Sequence, residues 1–287
     1  MIMFDANHCS DHLDALSQRL RWILLVFVLT ASTSSLADLK PLSVPGGIAR
    51  IALPEGTTSA AFNGTRVLVT RGDHGSMAWV GLPLSLEPGS HVLDVSGQAI
   101  SFEVLSKTYE TEHLTIPNRR KVNPLPMDYD RIGAERKEMD GVFQSFTPRS
   151  VPEQWQSPLS GRYSSSFGKR RVLNGQPRSP HSGLDIAAPE GTPVESIAAG
   201  RVAAVGDYFF NGQTIMVDHG QGLISMYCHL SEIDVALGEE VTSDSVIGKV
   251  GKTGRVTGAH LHLSVSLNNA RVDPLLFFDA PEPDLAR

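Results

Sequence analysis

The clearest pattern in the chain is the run His260-Leu-His-Leu-Ser-Val-Ser-Leu267, in which polar and branched apolar positions alternate without a break. A strand sends side chains i and i+2 to one face. The spacing therefore predicts a strand with Leu261, Leu263, Val265 and Leu267 in a core and His260, His262, Ser264 and Ser266 opposite. Two imidazoles then stand side by side on a polar face. Ile224-Ser-Met-Tyr-Cys-His-Leu230 alternates too. By the same rule Met226, Cys228 and Leu230 point inward, with Cys228 a small buried hydrophobe, while Ser225, Tyr227 and His229 point out.

Around these runs, short apolar stretches separated by glycine recur at 191–206 and 237–251. They predict short strands folding back on one another, an antiparallel β half-barrel over 151–280 with no helix of useful length. Earlier in the chain, Ile48 to Leu53, Arg66 to Thr70, His91 to Val95 and Ala99 to Val104 are β-rich and separated by Pro-Glu-Gly, Asn-Gly and Pro-Gly-Ser. These predict a small antiparallel N-terminal domain of the immunoglobulin type over 38–106. Its histidines, His74 and His91, and His113 beyond it are scattered and read as surface residues. Between the two domains, 107–150 reads as a linker. Asp128 there caps a short helix running to about Met139 and closed by Gly141, with Tyr129, Ile132, Met139 and Phe143 on one stripe. The basic triplet Arg119-Arg120-Lys121 reads as a solvated linker face. The chain is thus expected to be mainly β.

Length and charge narrow the picture. The 287 residues leave room for a targeting segment and two modest domains. With 25 basic against 31 acidic residues, a net charge of −6 and no long run of either sign, a nucleic-acid partner is not expected. Arg19 and Arg21 precede the apolar run Trp22 to Leu29, and small residues follow up to Ser35-Leu36-Ala37. This fits a secretory leader cut after Ala37, with an apolar core shorter than the roughly 20 residues a spanning helix needs. The expectation is an exported protein of the periplasm or cell envelope, with no stable membrane span after processing and a short tail at 281–287. A short membrane anchor or an internal apolar helix is the rival reading. The first eighteen residues are long for the leading part of a leader and carry Asp5, Asp11 and Asp14, which points to a functional start downstream of Met1. With Cys9 in the leader, Cys228 has no intramolecular disulfide partner.

The candidate chemistry centres on His181-Ser-Gly-Leu-Asp185, where Gly183 permits a tight bend and Leu184-Asp185-Ile186 begins a strand. Alone, a histidine four residues from an aspartate is a weak signal. Joined to His262 it supplies three nitrogen or oxygen ligands and no cysteine, the composition of a catalytic zinc site with an open position. His219, in Asp218-His-Gly220, is placed at a turn with a structural hydrogen-bonding role.

H-x-x-x-D, then Tyr-Cys-His-Leu-Ser, then His-Leu-His, in order within a glycine-rich β-domain, resemble the lysostaphin/LytM-type zinc endopeptidases over roughly Ser157 to Phe278. The resemblance implies one zinc ion per chain, held by His181, Asp185 and His262, with His229 and His260 as the catalytic pair. His260 is the candidate general base or proton shuttle and His229 the candidate oxyanion stabiliser, the division between them left open. It also implies the peptide stems of peptidoglycan as substrate, and the chain is read as a monomer. Asn174, Arg178 and Asn211 flank the motifs and resemble recurrent cleft positions, and Tyr227 joins them on its predicted outward face as a candidate substrate contact. Phe62-Asn-Gly-Thr-Arg-Val67 and Arg120-Lys-Val-Asn-Pro124 are similar to segments of the front domain of exported members. Front domain and linker are expected to cover part of the zinc cleft. Two rival classes are a non-catalytic regulator, which in such families has lost zinc ligands, and a biotinyl or lipoyl carrier. The carrier would need a lysine on an exposed hairpin, which neither Lys249 nor Lys252 provides.

Overall fold

The computed structural model describes residues 40–72 and 75–279. The leader and its cleavage site, His74 and the 281–287 tail lie outside the described residues. Where the hydrophobic pattern is strongest the chain pairs as expected. Leu261–Leu267 forms a strand whose neighbours are Leu223–Leu230 on one side and Leu184–Ala187 on the other. The full eight-stranded antiparallel sheet runs Glu240–Val241, Gly200–Tyr208, Gly212–Gly220, Leu223–Leu230, Leu261–Leu267, Leu184–Ala187 and Arg162–Ser165, with Ala270–Val272 also pairing Leu261–Leu267. A three-stranded sheet of Pro193–Glu195, Val246–Lys249 and Glu232–Ile233 accompanies it. Between them lies the main core, built from Leu184, Ile186, Leu261, Leu263, Val265 and Leu267 with Ile197, Ile215, Tyr227 and Ile247.

The N-terminal unit holds two small antiparallel sheets. One is ordered Ile48–Leu53, Gly75–Gly81, Leu68–Gly72, and the other Thr65–Arg66, Ala61–Phe62, Gly89–Val95, Gln98–Val104. Both sheets feed one core that includes Ile51, Leu53, Phe62, Val80, Leu93 and Val104. Gly75–Gly81 does not show in the sequence as a strand, because Ala78 to Gly81 are buried on both faces and the alternation that marks a half-exposed strand is missing. This strand also joins the two units. Trp79 packs into the main core, and the Asn268 side chain brackets Gly81, accepting from its N–H at 2.7 Å and donating to its carbonyl at 3.1 Å. A β-carbon at Gly81 would strike the Leu267 backbone, so only glycine lets the chains approach this closely.

The linker is more integrated than its polar sequence implies. Thr111–Leu114 adds a parallel strand to Arg170–Leu173, and α1 spans Tyr129–Phe143, two residues past the expected stop at Gly141. Asp128 precedes it without a side-chain cap bond. Its carboxylate instead accepts from the Leu125 N–H and pairs with the guanidinium of Arg120, which stays exposed. The buried stripe of α1 is Met139, Val142 and Phe143, whereas Tyr129 is exposed.

That stripe reverses two sequence expectations. It covers the outer face of the large sheet, where Met216, Ile224, Met226 and Cys228 form a second apolar layer, so the face carrying His262, Ser264 and Ser266 is buried rather than solvated. The phase of Leu223–Leu230 is also opposite to the one expected. Cys228 stands beside His262 and Met226 beside Ser264, while Tyr227 pairs Leu263 and enters the main core. With apolar layers on both sides, alternation has no polar face to mark the outside. Cys228 is buried, as expected, and burial pushes its thiol up to about 12.

His229 would follow Tyr227 into the core but for a bulge. Ile215 opposes Tyr227 while Gln213 opposes Leu230, so the strand carries one extra residue there, and His229 sits at φ 66°. The irregularity turns His229 out to the side of Cys228. Tyr227 cannot touch a substrate from its place: its hydroxyl accepts from the Ile197 N–H at 2.8 Å and lies 3.0 Å from Ser225 Oγ. Tyr227→Phe leaves that buried N–H without its partner and should cost about 1–3 kcal/mol of stability. Thermal and denaturant unfolding should show this loss while the KM of any substrate stays unchanged; a raised KM at unaltered stability would return Tyr227 to the binding surface.

Candidate metal centre

Asp185 and His262 face each other across the pairing of Leu184–Ala187 with Leu261–Leu267. His181 arrives from the turn before the first of these strands, its own N–H bonded to the Lys169 carbonyl. Their polar atoms converge. His181 Nε2 lies 3.0 Å from Asp185 Oδ1 and 3.0 Å from His262 Nδ1, and His262 Nδ1 lies 2.7 Å from Asp185 Oδ1. All three residues are buried, and their ligand atoms lie within 4.8 Å of one another. Gly183 is needed for the approach rather than for a left-handed bend, since a β-carbon there would sit 2.7–2.8 Å from the His262 ring.

The tautomers follow from the outer partners. His181 Nδ1 is 2.9 Å from the Ser166 carbonyl, which can only accept, so Nδ1 carries the proton and Nε2 the lone pair. Ser264 Oγ donates to the Ser182 carbonyl at 2.9 Å, so it accepts from His262 Nε2, also at 2.9 Å, and leaves Nδ1 bare. Arg171 holds the second oxygen of Asp185 at 2.8 Å. Burial lowers His262 to about 4, which keeps it neutral at pH 7.

Two imidazole lone pairs and a carboxylate oxygen thus point at one spot, an arrangement that repels itself unless a cation lies between them. The donor set suits zinc, whose tetrahedral ligands at about 2.0–2.1 Å lie about 3.3–3.4 Å from one another. Each ligand is oriented by a further hydrogen bond, as metal-binding residues commonly are.

His229 and His260 complete the cluster. His229 Nδ1 donates to the Thr253 carbonyl and His260 Nδ1 to the Gly258 carbonyl, both at 2.9 Å, so each ring presents Nε2 to its surroundings. The two rings lie 5.0 Å apart, His229 lies 5.9 Å from the His262 ring, and His260 Nε2 is 3.8 Å from Asp185 Oδ1. Burial first, and then the neighbouring His260 and His262, push His229 well below the ordinary histidine range. It is therefore neutral and starts as a proton acceptor; donation to an oxyanion would require it to take up a proton first.

A cleft of about 250 Å³ adjoins His229 and His262, and its lining includes Arg178, Asn211, Arg255, Met139 and Phe143. Linker helix α1 therefore forms one wall, whereas among the described residues none of the 40–106 unit lines it. Arg178 and Asn211 are where the sequence reading put them. Asn174 is not, because its side chain is spent on Ile116, accepting from its N–H at 2.7 Å and donating to its carbonyl at 3.1 Å. The sequence reading missed Arg171, Arg255 and Arg271, since isolated arginines in loops and short strands carry no periodic signal. His219 keeps a structural role, but within Gly212–Gly220 rather than at a turn: it is buried between the Ala199 carbonyl at 2.8 Å and Ser225 Oγ at 2.7 Å.

A buried His/Asp/His group on a glycine-rich antiparallel sheet, with two further histidines beside it, defines a protein with a candidate metal centre. Residues 179–274 match peptidase family M23 and residues 42–107 match the M23 N-terminal domain. The fold aligns with the crystal structure of a chain assigned to peptidase M23 from Pseudomonas aeruginosa at a TM-score of 0.70 and 43% identity, over 84% of this chain and 96% of that one. The chain belongs to peptidase family M23. It is 34% identical over 148 residues to the peptidoglycan DD-endopeptidase ShyA of Vibrio cholerae, covering 51% of this chain and 32% of that protein. It is 39% identical over 126 residues to the DD-carboxypeptidase/endopeptidase Mpg of Neisseria meningitidis, covering 44% of this chain and 29% of that protein. The chain thus spans about a third of the length of the curated relatives it matches.

Because Ser264 fixes the His262 tautomer from behind, Ser264→Ala should weaken zinc binding about 10–100-fold with the fold intact. Competition against a chelator measures this, and an unchanged affinity would show that strand geometry alone orients the ring.

Proposed function

We propose that this protein is a zinc-dependent endopeptidase that hydrolyses peptide cross-links in peptidoglycan, as the named activities of its M23 relatives suggest, and that it acts after export to the periplasm or cell envelope. The observation that carries the reading is the convergence of His181 Nε2, Asp185 Oδ1 and His262 Nδ1, beside two further histidines that are not needed as ligands. The non-catalytic alternative has no lost ligand to support it. Among the described residues no helix is long and apolar enough to cross a membrane. In this reading 38–106 and 151–280 are the front and catalytic domains, joined by the 107–150 linker.

His181, Asp185 and His262 would hold one zinc ion, whose Lewis acidity polarises a scissile carbonyl and lowers the pKa of water towards about 7. The protein's own groups then manage protons and position. His260, anchored through Nδ1 to Gly258, offers Nε2 beside Asp185 and can accept a proton from the attacking water. His229, anchored to Thr253, is kept neutral and faces the same space. Whichever ring takes the proton becomes the donor that can stabilise the oxyanion or protonate the leaving amine. Asn211 borders the cleft, its amide nitrogen donating weakly to the sulfurs of Met139 and Met226 at 3.5–3.6 Å, which leaves its side-chain oxygen to accept from a peptide N–H.

The ligand and proton-transfer roles separate by mutation. His262→Ala removes a ligand, so zinc content and turnover of purified sacculi should fall together. His260→Ala leaves the three ligands in place and should keep about one zinc per chain while turnover falls about 10²–10⁴-fold. Elemental analysis beside sacculus digestion distinguishes them. Loss of zinc in the His260 variant with retention in the His262 variant would reverse the roles, and full activity in both would end the peptidase reading.

A further inference from the structure

The cleft beside the histidines carries more positive charge than the catalytic chemistry uses. Arg171 is accounted for, because it holds Asp185 and faces Glu112. Arg271 lies 3.1 Å over the Phe143 ring, and its NH1 donates to Ser266 Oγ at 3.2 Å, fastening α1 to the sheet. Arg178 and Arg255 are different. Both line the cleft with His229 and His262, yet among the described residues neither has a carboxylate within 4.0 Å.

Arg178 is fixed by neutral oxygens alone, donating to the carbonyls of Val122 and Pro177 and to the side chains of Asn123 and Gln176 at 2.6–3.1 Å. These orient the guanidinium without cancelling its charge. Arg255 has its backbone N–H on the Phe210 carbonyl at 2.8 Å and its guanidinium 4.7 Å over the Phe210 ring. Burial, and then the fields of Arg171 and Arg178, lower it to about 10. A guanidinium stays charged even there, so burial without a counter-ion has a cost that a bound anion would relieve. Across the cleft, Asp140 on α1 is 3.5 Å from Arg136 and does not reach either arginine.

We propose that Arg178 and Arg255 form a carboxylate subsite that anchors an acidic group of the peptide within a residue or so of the bond being cut. This rests on the endopeptidase reading above and names the chemistry of its substrate: a peptide with a free carboxylate beside the cross-link. The planar fork of Arg255 can bind such a group through two parallel N–H donors, while Arg178, whose Nη2 donors are taken up by Val122, Asn123 and Gln176, adds its positive field. Location supports the role, since Arg255 follows Thr253, whose carbonyl holds His229 in place. An anion held there lies next to the proton-handling histidines.

Two synthetic cross-linked stem-peptide dimers test this, one with a free carboxyl on the residue next to the scissile bond and a twin with that carboxyl amidated. The zinc-loaded wild-type protein should prefer the acid about 10–100-fold in kcat/KM, through KM rather than kcat, as expected for a lost charge-assisted hydrogen-bond pair. Arg255→Gln should abolish the preference and keep full zinc content. Arg255→Lys should retain part of the preference, which a purely structural role would not produce. If wild type cleaves both twins equally, or Arg255→Gln slows both alike, the subsite is refuted while the peptidase reading stands. If wild type cleaves neither, the peptidase reading fails and takes this proposal with it.

Discussion

The cross-strand pairing of Asp185 with His262 is the constraint on which the rest of the site depends. It sets a carboxylate and an imidazole opposite each other in a buried sheet, and the His181 turn adds a third lone pair at about the same distance. Three electron-rich atoms packed this closely do not stabilise one another. The surrounding structure holds them there through Ser166, Ser264, Arg171 and the absent side chain of Gly183. A cluster that costs energy by itself and is supported from every side is the arrangement expected of residues built to share a cation.

The meeting of His181, Asp185 and His262 was legible in the sequence because its signals are local. Alternation from His260 to Leu267 identifies the strand, and the four-residue spacing of His181 and Asp185 survives as a turn running into its neighbour. The C-terminal β-domain, a β-rich N-terminal unit and the linker helix could be read for the same reason, though the central strand Gly75–Gly81 of one N-terminal sheet could not. What could not be read depends on the other side of the sheet. α1 buries the face that carries His262, Ser264 and Ser266, so polarity along that strand marks a buried hydrogen-bonding layer rather than exposure to solvent. Once both faces are covered, the phase of Leu223–Leu230 is fixed by partners and by one extra residue at His229, neither of which alternation encodes. Tyr227 was misplaced for that reason. Asn174 was misplaced because proximity to a motif says nothing about which backbone its amide will bind.

The linker is the least expected contributor. Its strand extends the Arg170–Leu173 edge, and its helix supplies Met139 and Phe143 to the cleft wall while Arg271 stacks on Phe143. The segment that reads as a connector therefore shapes the space a substrate would enter. The large sheet supplies His229 and His262, loops and short strands supply His181, His260 and most of the cleft's arginines, and the helix supplies one wall.

The central claim is that His181, Asp185 and His262 form a single zinc site on which activity depends. The most direct test is to strip the purified chain of metal and titrate zinc back while recording the thermal unfolding midpoint and the release of fragments from purified sacculi. The account predicts that both rise together and saturate at one equivalent, because an ion bound only by the folded state stabilises it. Full cleavage by the metal-free protein in excess chelator, or zinc uptake that alters neither stability nor activity, would contradict it.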